Sequence, residues 1–296
     1  MIDVIVHALS DELDLDVTVT THRGHGVLLG ERALEEGLDI VVTLGGDGVV
    51  NEVVNGLLSG GSGPSVPLLA TIPGGSGNVF ARSLGLPNDA VEATGHLLDR
   101  IRTGGVRPIG LGTANDRWFV ANAGLGIDAE IIAAMEQHRK AGHKATPTRY
   151  LATTLNTFFR GTDRRDPALT LTRHQRDDGG IERIDGLFFA IVQNTSPWTF
   201  YGSWPINPCP DASLDTGLDV FALRSMHVPT ALTAARRMIT GSTWGSARGG
   251  IVDWHDQPAF TLTAKRPTAL QIDGEGIGPT TEVVFTSHPG ALRVVC

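Results

Sequence analysis

The chain has 296 residues, 41% of them hydrophobic and 19% charged, which is typical of a globular protein with room for one large or two ordinary domains. Its formal net charge of −8 argues against a protein that binds nucleic acid through a basic face. Two cysteines, Cys209 and Cys296, exclude a disulfide framework and indicate a reducing compartment. No apolar run approaches the about 18 residues that a transmembrane helix needs, and the N-terminus does not resemble a signal peptide.

The first third of the sequence alternates apolar runs with segments of helical spacing. Residues 1–13 read as a helix, followed by predicted strands at 16–20, 39–44 and 68–72 and predicted helices at 27–36, 51–58, 78–84 and 89–102. Strands that alternate with helices predict a parallel sheet covered on both faces. We therefore predict an α/β domain over residues 1–112, with ligands at the carboxyl ends of its strands.

The remainder of the chain is dominated by strand-like runs separated by turns. The predicted strands lie at 106–111, 118–123, 168–172, 187–193, 218–223, 259–263 and 282–286, and the predicted helices at 129–139, 150–159 and 229–240. This pattern predicts a mainly antiparallel β domain over residues 113–296. Whether the last residues return to the first domain stays open.

The first candidate site is a glycine loop between a buried strand and a helix, formed by Gly45, Gly46, Asp47 and Gly48. Glycines let backbone N–H groups approach an anion, and the following helix N-terminus favours negative charge. A carboxylate in such a place needs a Mg²⁺ ion or a proton to accept. A tight turn in which Asp47 caps the helix is an equally good interpretation at this point.

A second glycine loop, Gly74-Gly75-Ser76-Gly77-Asn78, follows the next strand, with Ser76 or Asn78 available as a helix cap. The two loops are spaced as a βαβ unit requires, so they are expected to meet at one edge of the sheet. Two such loops predict the walls of a nucleotide site more strongly than either does alone.

Four motifs in order give the chain a family resemblance. They are Gly45-Gly46-Asp47-Gly48 with Asn51-Glu52-Val53 and Asn55-Gly56, then Pro73-Gly74-Gly75-Ser76-Gly77-Asn78, Asn122-Ala123-Gly124 with Gly126 and Asp128-Ala129, and Ile272-Asp273-Gly274-Glu275. This series resembles the diacylglycerol kinase catalytic domain family, which includes bacterial lipid kinases, ceramide kinases and sphingosine kinases. Without the resemblance, Asp273-Gly274 reads as a hairpin turn.

The resemblance implies a two-domain fold with ATP in the cleft between the domains. It implies a nucleotide site made by Gly45, Gly46, Asp47, Gly48, Asn51, Glu52, Gly74, Gly75, Ser76, Gly77, Asn78 and Gly274. It also implies a Mg²⁺ network with Asp47 and Asp128. Glu275, or Asp273 beside it, is the implied general base for an alcohol, and Asp47 is counted with the catalytic residues.

The chain departs from the family pattern at three places. The family often has two adjacent acids where this chain has Asp215 and Thr216, so a structural Mg²⁺ at Asp215 and a plain surface turn are both retained. The usual first strand with an Asn-Pro motif is not seen before residue 13, which predicts an exposed sheet edge. Many bacterial relatives have an acid at the position of Val79.

These patterns together predict ATP-dependent, Mg²⁺-assisted phosphorylation of a lipid hydroxyl. Diacylglycerol is the first candidate for the lipid, and a sphingoid base is the second. The alternatives are an NAD-kinase-like enzyme and a non-catalytic lipid-binding protein of the same fold. We expect a cytoplasmic protein, peripheral to the inner membrane face, that binds a lipid substrate and no nucleic acid. Whether it forms a homodimer stays open. The aromatic group Trp198, Phe200, Tyr201 and Trp204 reads as core packing in preference to a lipid-entry rim.

Overall fold

The structure is a computed structural model that describes residues 2–126, 167–174, 180–201, 204–242 and 250–296. Asp128 and the helices predicted at 129–139 and 150–159 lie outside these residues. The chain forms two compact units, one of Met1–Leu111 with Pro289–Cys296 and the other of Gly112–His288.

The first unit is an α/β structure built on parallel strands. Strands β1 (Ile40–Gly45) and β2 (Leu68–Pro73) pair in parallel from Ile40 opposite Leu68 to Gly45 opposite Pro73. The last part of β14 (Glu275–Val295) adds a parallel contact of Val294 with Leu69. The helices are α1 (Ile2–Ser10), α2 (His25–Glu35), α3 (Asp47–Leu57), α4 (Val79–Ser83) and α5 (Ala90–Thr103).

Packing of α2 against α3 depends on two glycines that remove side-chain bulk from the contact. A Cβ atom on Gly56 would lie 2.1 Å from the backbone oxygen of Val27 and 2.9 Å from the Cα atom of Gly30. The helices therefore approach backbone to backbone, which leaves Val54 and Leu57 of α3 fully buried. Gly56, part of the first motif, is thus explained by packing.

The strand predicted at 16–20 is wrong. Residues 14–20 carry no regular secondary structure, and Val17 and Val19 are exposed. Alternation alone cannot make a strand, because the backbone groups need a neighbouring ladder and none forms here. The helix predicted for residues 1–13 is confirmed as α1, whose Ile5 and Leu9 are buried in the core of the first unit.

The second unit is mainly antiparallel. Its strands are the end of β3 (Val106–Ala114), β4 (Arg117–Phe119), β5 (Asn122–Gly126), β6 (Leu169–His174), β7 (Ile181–Leu187), β8 (Phe189–Gln193), β9 (Thr199–Tyr201), β10 (Trp204–Ile206), β11 (Leu218–Leu223), β12 (Ile251–Gln257), β13 (Ala259–Ile272) and the start of β14. The order β13-β5-β8-β11-β12 forms the central sheet, with β6 beside β13, β7 beside β6 and a separate β9–β10 hairpin. The predicted fold class is confirmed.

One helix, α6 (Val228–Thr240), packs on this sheet through an apolar cluster that includes Phe221, Ala234 and Met238. The guanidinium of Arg237 is buried under the helix, where it binds both carboxylate oxygens of Asp253 at 2.6 and 2.7 Å. Within the described residues, no helix has the length and apolar character needed to cross a membrane.

Candidate functional site

The two glycine loops touch each other where β1 and β2 end. The N–H of Gly74 donates to the carbonyl oxygen of Gly45 at 2.8 Å. A Cβ atom on Gly75 would lie 2.6 Å from the Cα atom of Gly46, which no real side chain tolerates. Glycine is therefore required here by the close approach of two backbones, before any ligand is considered.

The side chain of Asn78 closes the second loop. Its Oδ1 atom accepts a hydrogen bond from the Gly75 N–H at 2.8 Å, and its Nδ2 atom donates to Gly75 O and to Asn88 Oδ1. Asn78 has a positive φ of 50°, a conformation in which asparagine is one of the tolerated residues. These contacts argue that Asn78 shapes the loop, and its role in nucleotide binding stays a prediction.

Asp47 joins the two loops. Its carboxylate accepts hydrogen bonds from the N–H groups of Val79 at 3.1 Å and Phe80 at 3.0 Å, at the start of α4. It therefore caps the helix that follows the second loop, whereas α3, which begins at Asp47 itself, has no side-chain cap. The sequence suggested that Asp47 caps α3, the helix that begins beside it. The fold brings it instead to α4, which is distant in the sequence.

Burial raises the pKa of the Asp47 carboxyl, and the hydrogen bonds from Phe80 and Val79 oppose that rise without cancelling it. The carboxyl is thus held in a partly desolvated place between two backbones. This geometry accounts for Asp47 structurally, and its metal and catalytic roles stay predictions.

The backbone N–H groups of the loops that have no acceptor in the described part of the chain include those of Gly46, Gly48, Ser76 and Gly77. Ser76 is exposed, its hydroxyl also has no partner among the described residues, and the other three residues are half-buried. Unsatisfied N–H groups at a helix N-terminus and a glycine turn favour an anion. This set of donors is the feature of the first unit best suited to phosphate oxygens.

Asn51 and Glu52 on α3 were also predicted to bind the nucleotide, but both are buried in the protein. The Glu52 carboxylate accepts the N–H groups of Gly24 at 2.8 Å and Gly26 at 2.9 Å, so it caps α2. Asn51 is fully buried and accepts a hydrogen bond from Asn55. These contacts argue for structural roles.

In the second unit, Asp273 is surrounded by donors. Its carboxylate accepts three hydrogen bonds, from the N–H groups of Val120 at 2.8 Å and of Ala121 and Asn122 at 2.9 Å. Asp273 is 7% exposed. A buried carboxylate with three backbone donors is poorly placed to remove a proton from an alcohol, so the structure argues against the base role predicted for Asp273.

Asp273 and Gly274 form the two-residue turn between β13 and β14, with Ile272 opposite Glu275. Both turn residues have positive φ angles, 46° and 81°, as a type I′ hairpin requires. The Gly274 N–H donates to Gln271 Oε1, and Gln271 in turn donates to Asn122 Oδ1 at 3.0 Å. The third and fourth motifs are therefore joined in one buried network.

Glu275 lies just outside this network, at the first position of β14. Its carboxylate accepts a hydrogen bond from Nη2 of Arg117 at 3.2 Å, and its side chain is 19% exposed. The ion pair fixes the carboxylate while leaving it accessible. Glu275 is therefore the better placed of the two predicted bases, and its ion-pair partner Arg117 was not singled out from the sequence.

The predicted metal ligands do not form a metal site among the described residues. No group of three or more His, Cys, Asp or Glu side chains in that part of the chain is placed to hold an ion. Asp215 is exposed in a turn where Thr216 Oγ1 donates to the carbonyl oxygen of Ser213 at 3.1 Å. The described residues thus do not fit a resident Mg²⁺, and Asp128 lies outside them.

The fold places the chain in a known structural class. A diacylglycerol kinase from Bacillus anthracis str. Sterne superposes with a TM-score of 0.74 at 22% identity, over 98% of this chain and 88% of the other. An NAD kinase from Archaeoglobus fulgidus in complex with ATP superposes with a TM-score of 0.51 at 10% identity, over 100% and 89%. The chain therefore has the two-part fold that these two kinds of kinase share.

Sequence comparison separates these two kinds of kinase, because the matches are to diacylglycerol kinases. Residues 2–114 match the family described as diacylglycerol kinase catalytic domain. Diacylglycerol kinases of Staphylococcus aureus, strains bovine RF122 / ET3-1 and NCTC 8325 / PS 47, are each 27% identical over 252 residues, which is 85% of this chain and 73% of theirs. The resemblance of this chain to the diacylglycerol kinase catalytic domain family is confirmed.

Proposed function

We propose that this protein is a lipid kinase that transfers the terminal phosphoryl group of ATP to the hydroxyl of a lipid. Diacylglycerol is the first candidate for that lipid. The observation that carries the proposal is the set of four N–H groups on Gly46, Gly48, Ser76 and Gly77 that have no acceptor in the described structure. Its support from outside the chain is the similarity to the staphylococcal diacylglycerol kinases.

In the proposed reaction the two glycine loops hold the phosphate oxygens and the Ser76 hydroxyl adds a donor. The lipid hydroxyl oxygen forms a bond to the γ-phosphorus as the bond to the bridging oxygen of ADP breaks. Glu275, held by Arg117, accepts the hydroxyl proton. Positioning and backbone donors matter most, because charge spreads over the equatorial oxygens in phosphoryl transfer.

Magnesium enters the proposal only with the nucleotide. Mg²⁺ is commonly held by one or two carboxylates together with substrate phosphates, so a protein cage is not needed for the nucleotide to arrive as its Mg²⁺ complex. We further propose that the reaction takes place at the cytoplasmic face of the membrane, where a long-chain diacylglycerol resides.

The experiment is transfer of label from γ-³²P-ATP to mixed micelles that contain diacylglycerol or sphingosine, with NAD as a soluble acceptor in a parallel reaction. Labelled phosphatidic acid is the expected product. Label on sphingosine alone would move the proposal to a sphingoid-base kinase, and label on NAD alone would contradict a lipid substrate. Absence of product from all three acceptors, with ATP still bound, would identify a non-catalytic protein.

Glu275→Gln supplies the matched variant for this assay, because it keeps the size of the side chain and removes the base. Asp116→Asn serves as its control, since Asp116 is an exposed residue of the neighbouring turn. Product from the control and none above background from Glu275→Gln would support the assignment of the base.

A further inference from the structure

The solvent-facing side of α6 is apolar. Val228, Leu232 and Ile239 have exposed fractions of 54%, 66% and 56%. At 3.6 residues per turn these positions fall within an arc of about 40°, so they form one stripe along the helix. The opposite side of α6 is also apolar, since Ala234 and Met238 pack into the core of the second unit. A helix that is apolar on its outer side needs a further explanation.

An exposed tryptophan lies on a strand that contacts α6. Strand β10 contacts α6, and the Asn207 N–H just after β10 donates to the Met238 carbonyl oxygen near the end of the helix. On that strand Trp204 is 66% exposed, whereas Trp198 is buried in the core at 5%. The aromatic group predicted as core packing is therefore divided, with Trp198 in the core and Trp204 outside it.

The charged residues of α6 itself have one sign. The sequence of α6 contains no Asp or Glu, and its two arginines differ in placement. Arg237 is buried against Asp253, whereas Arg236 is exposed at the edge of the stripe. An apolar stripe edged by arginine is the usual composition of a helix that lies in a membrane interface, and a neighbouring tryptophan suits the same place.

We propose that the outer side of α6, together with Trp204, is the surface with which the protein docks on an anionic lipid bilayer. In this arrangement α6 lies parallel to the membrane, with Val228, Leu232 and Ile239 in the acyl boundary and Arg236 among the headgroups. The proposal rests on the proposed function for its biological sense, since a lipid kinase must reach a substrate that stays in the membrane. Its physical basis is independent of the kinase reaction.

The test is sedimentation of the full chain with sucrose-loaded phosphatidylcholine vesicles, with and without phosphatidylglycerol. Leu232→Gln combined with Ile239→Gln is expected to weaken vesicle binding roughly tenfold, because two apolar side chains no longer enter the bilayer. Val91→Gln, at a residue of α5 with 53% exposure, is the matched control and should bind as the unchanged protein does. Arg236→Gln should reduce the gain from phosphatidylglycerol roughly fivefold.

Two further measurements keep the result decisive. Thermal unfolding must show that the double variant is folded, and the single variant Leu232→Gln replaces it if it is not. Unchanged vesicle binding by a folded variant, or a dimer in light scattering that the variant converts to a monomer, would overturn the proposal in favour of no docking or of a second copy.

Kinase assays separate this proposal from the kinase function. With long-chain diacylglycerol in vesicles the double variant should be slower, whereas with a water-soluble short-chain diacylglycerol it should match the unchanged protein. If vesicle binding depends on the stripe but the protein has no kinase activity, the docking proposal is supported and the proposed kinase function is contradicted. Kinase activity with equal loss on both substrates would contradict the docking role.

Discussion

Asp47 in the first unit and Asp273 in the second can be compared directly, because both belong to signature motifs and both were expected to do chemistry. Each carboxylate accepts backbone N–H groups from a different part of its own unit: two at the start of α4 for Asp47, and three from Val120 to Asn122 for Asp273. An acid in a catalytic motif can therefore hold two motifs together. The groups that we propose for the chemistry are their neighbours, the loop N–H groups and Glu275.

The largest expected effect that tests the comparison of these acids is the loss of turnover on substitution of Glu275. Glu275→Gln is expected to lower kcat by about 10²- to 10⁴-fold, the usual contribution of a general base. Its free energy of unfolding should change little, because Glu275 makes an accessible ion pair with Arg117. Steady-state kinetics together with urea unfolding measure both quantities. A large loss of stability with unchanged kcat would reverse the roles given to Glu275 and Asp273.

The next effect is on the stability of the second unit. Asp273→Ala leaves the N–H groups of Val120, Ala121 and Asn122 buried without an acceptor, so we expect a loss of about 3 kcal/mol or more in the free energy of unfolding. Asp116→Ala, in the exposed turn nearby, is the control and should change it by less than about 0.5 kcal/mol. Equal values from urea unfolding of the two variants would show that Asp273 is not a structural clamp.

Asp47→Ala tests the corresponding clamp in the first unit. It removes the acceptor for Val79 and Phe80 at a partly buried place, which should reduce the free energy of unfolding by about 2 kcal/mol. The exposed Asp39, just before β1, gives a control variant, Asp39→Ala. If Asp47→Ala were as stable as that control and yet inactive, the carboxylate would be a metal or catalytic group and the clamp account would fail.

Gly75→Ala tests the contact between the two loops without touching either acid. Its Cβ atom would lie 2.6 Å from the Gly46 Cα atom, so the loops must separate, at a cost of about 1–3 kcal/mol in stability. Gly60→Ala is the control, because a Cβ atom there meets nothing within 4 Å. We expect ATP affinity to fall for Gly75→Ala alone, as measured by isothermal titration calorimetry. Unchanged affinity would show that loop contact is not needed for binding.

The smallest effect concerns a third acid, Asp219, which pairs with His255 at 2.8 Å. The hydrogen bond to Asp219 raises the pKa of His255 above its ordinary value of 6.5. The stabilisation from this pair is therefore complete below that value and is lost as the pH rises through the higher folded-state pKa. Because the imidazole is 48% exposed, the change should stay below about 1 kcal/mol.

Urea unfolding on both sides of neutrality measures this change, and His255→Gln should flatten the dependence. Burial also raises the pKa of the Asp219 carboxyl above its ordinary value of 3.8, which makes stability fall with rising pH in the same direction as the histidine does. Stability that rises with pH across the histidine range would contradict the assignment.

The sequence was a good guide where a local pattern determines the structure. Strand β11 lies at Leu218–Leu223 as predicted, and the apolar runs of β1 and β2 became parallel strands that end in the glycine loops. The hairpin turn at Asp273-Gly274, suggested by the residues alone, is present with the positive φ angles it requires. These features depend on residues close together in the chain.

The sequence was a poor guide where a contact with a residue distant in the chain determines the local structure. The strand predicted at 118–123 is divided into β4 and β5, because the N–H groups from Val120 to Asn122 turn toward the Asp273 carboxylate. Likewise the strand predicted at 187–193 is divided at Phe188, whose N–H donates to Leu223. No local pattern announces either break, nor the pairing of Arg117 with Glu275.

The central claim, that the N–H groups of the two glycine loops hold the phosphates of ATP, can be tested by NMR on protein labelled with ¹⁵N-glycine. Addition of a non-hydrolysable ATP analogue should shift the amide signals of Gly46, Gly48 and Gly77, adenosine should leave them unchanged, and the exposed Gly60 and Gly63 should not respond to either. Signals of Gly46, Gly48 and Gly77 that stay in place at saturating analogue, or that move equally with adenosine, would contradict the account.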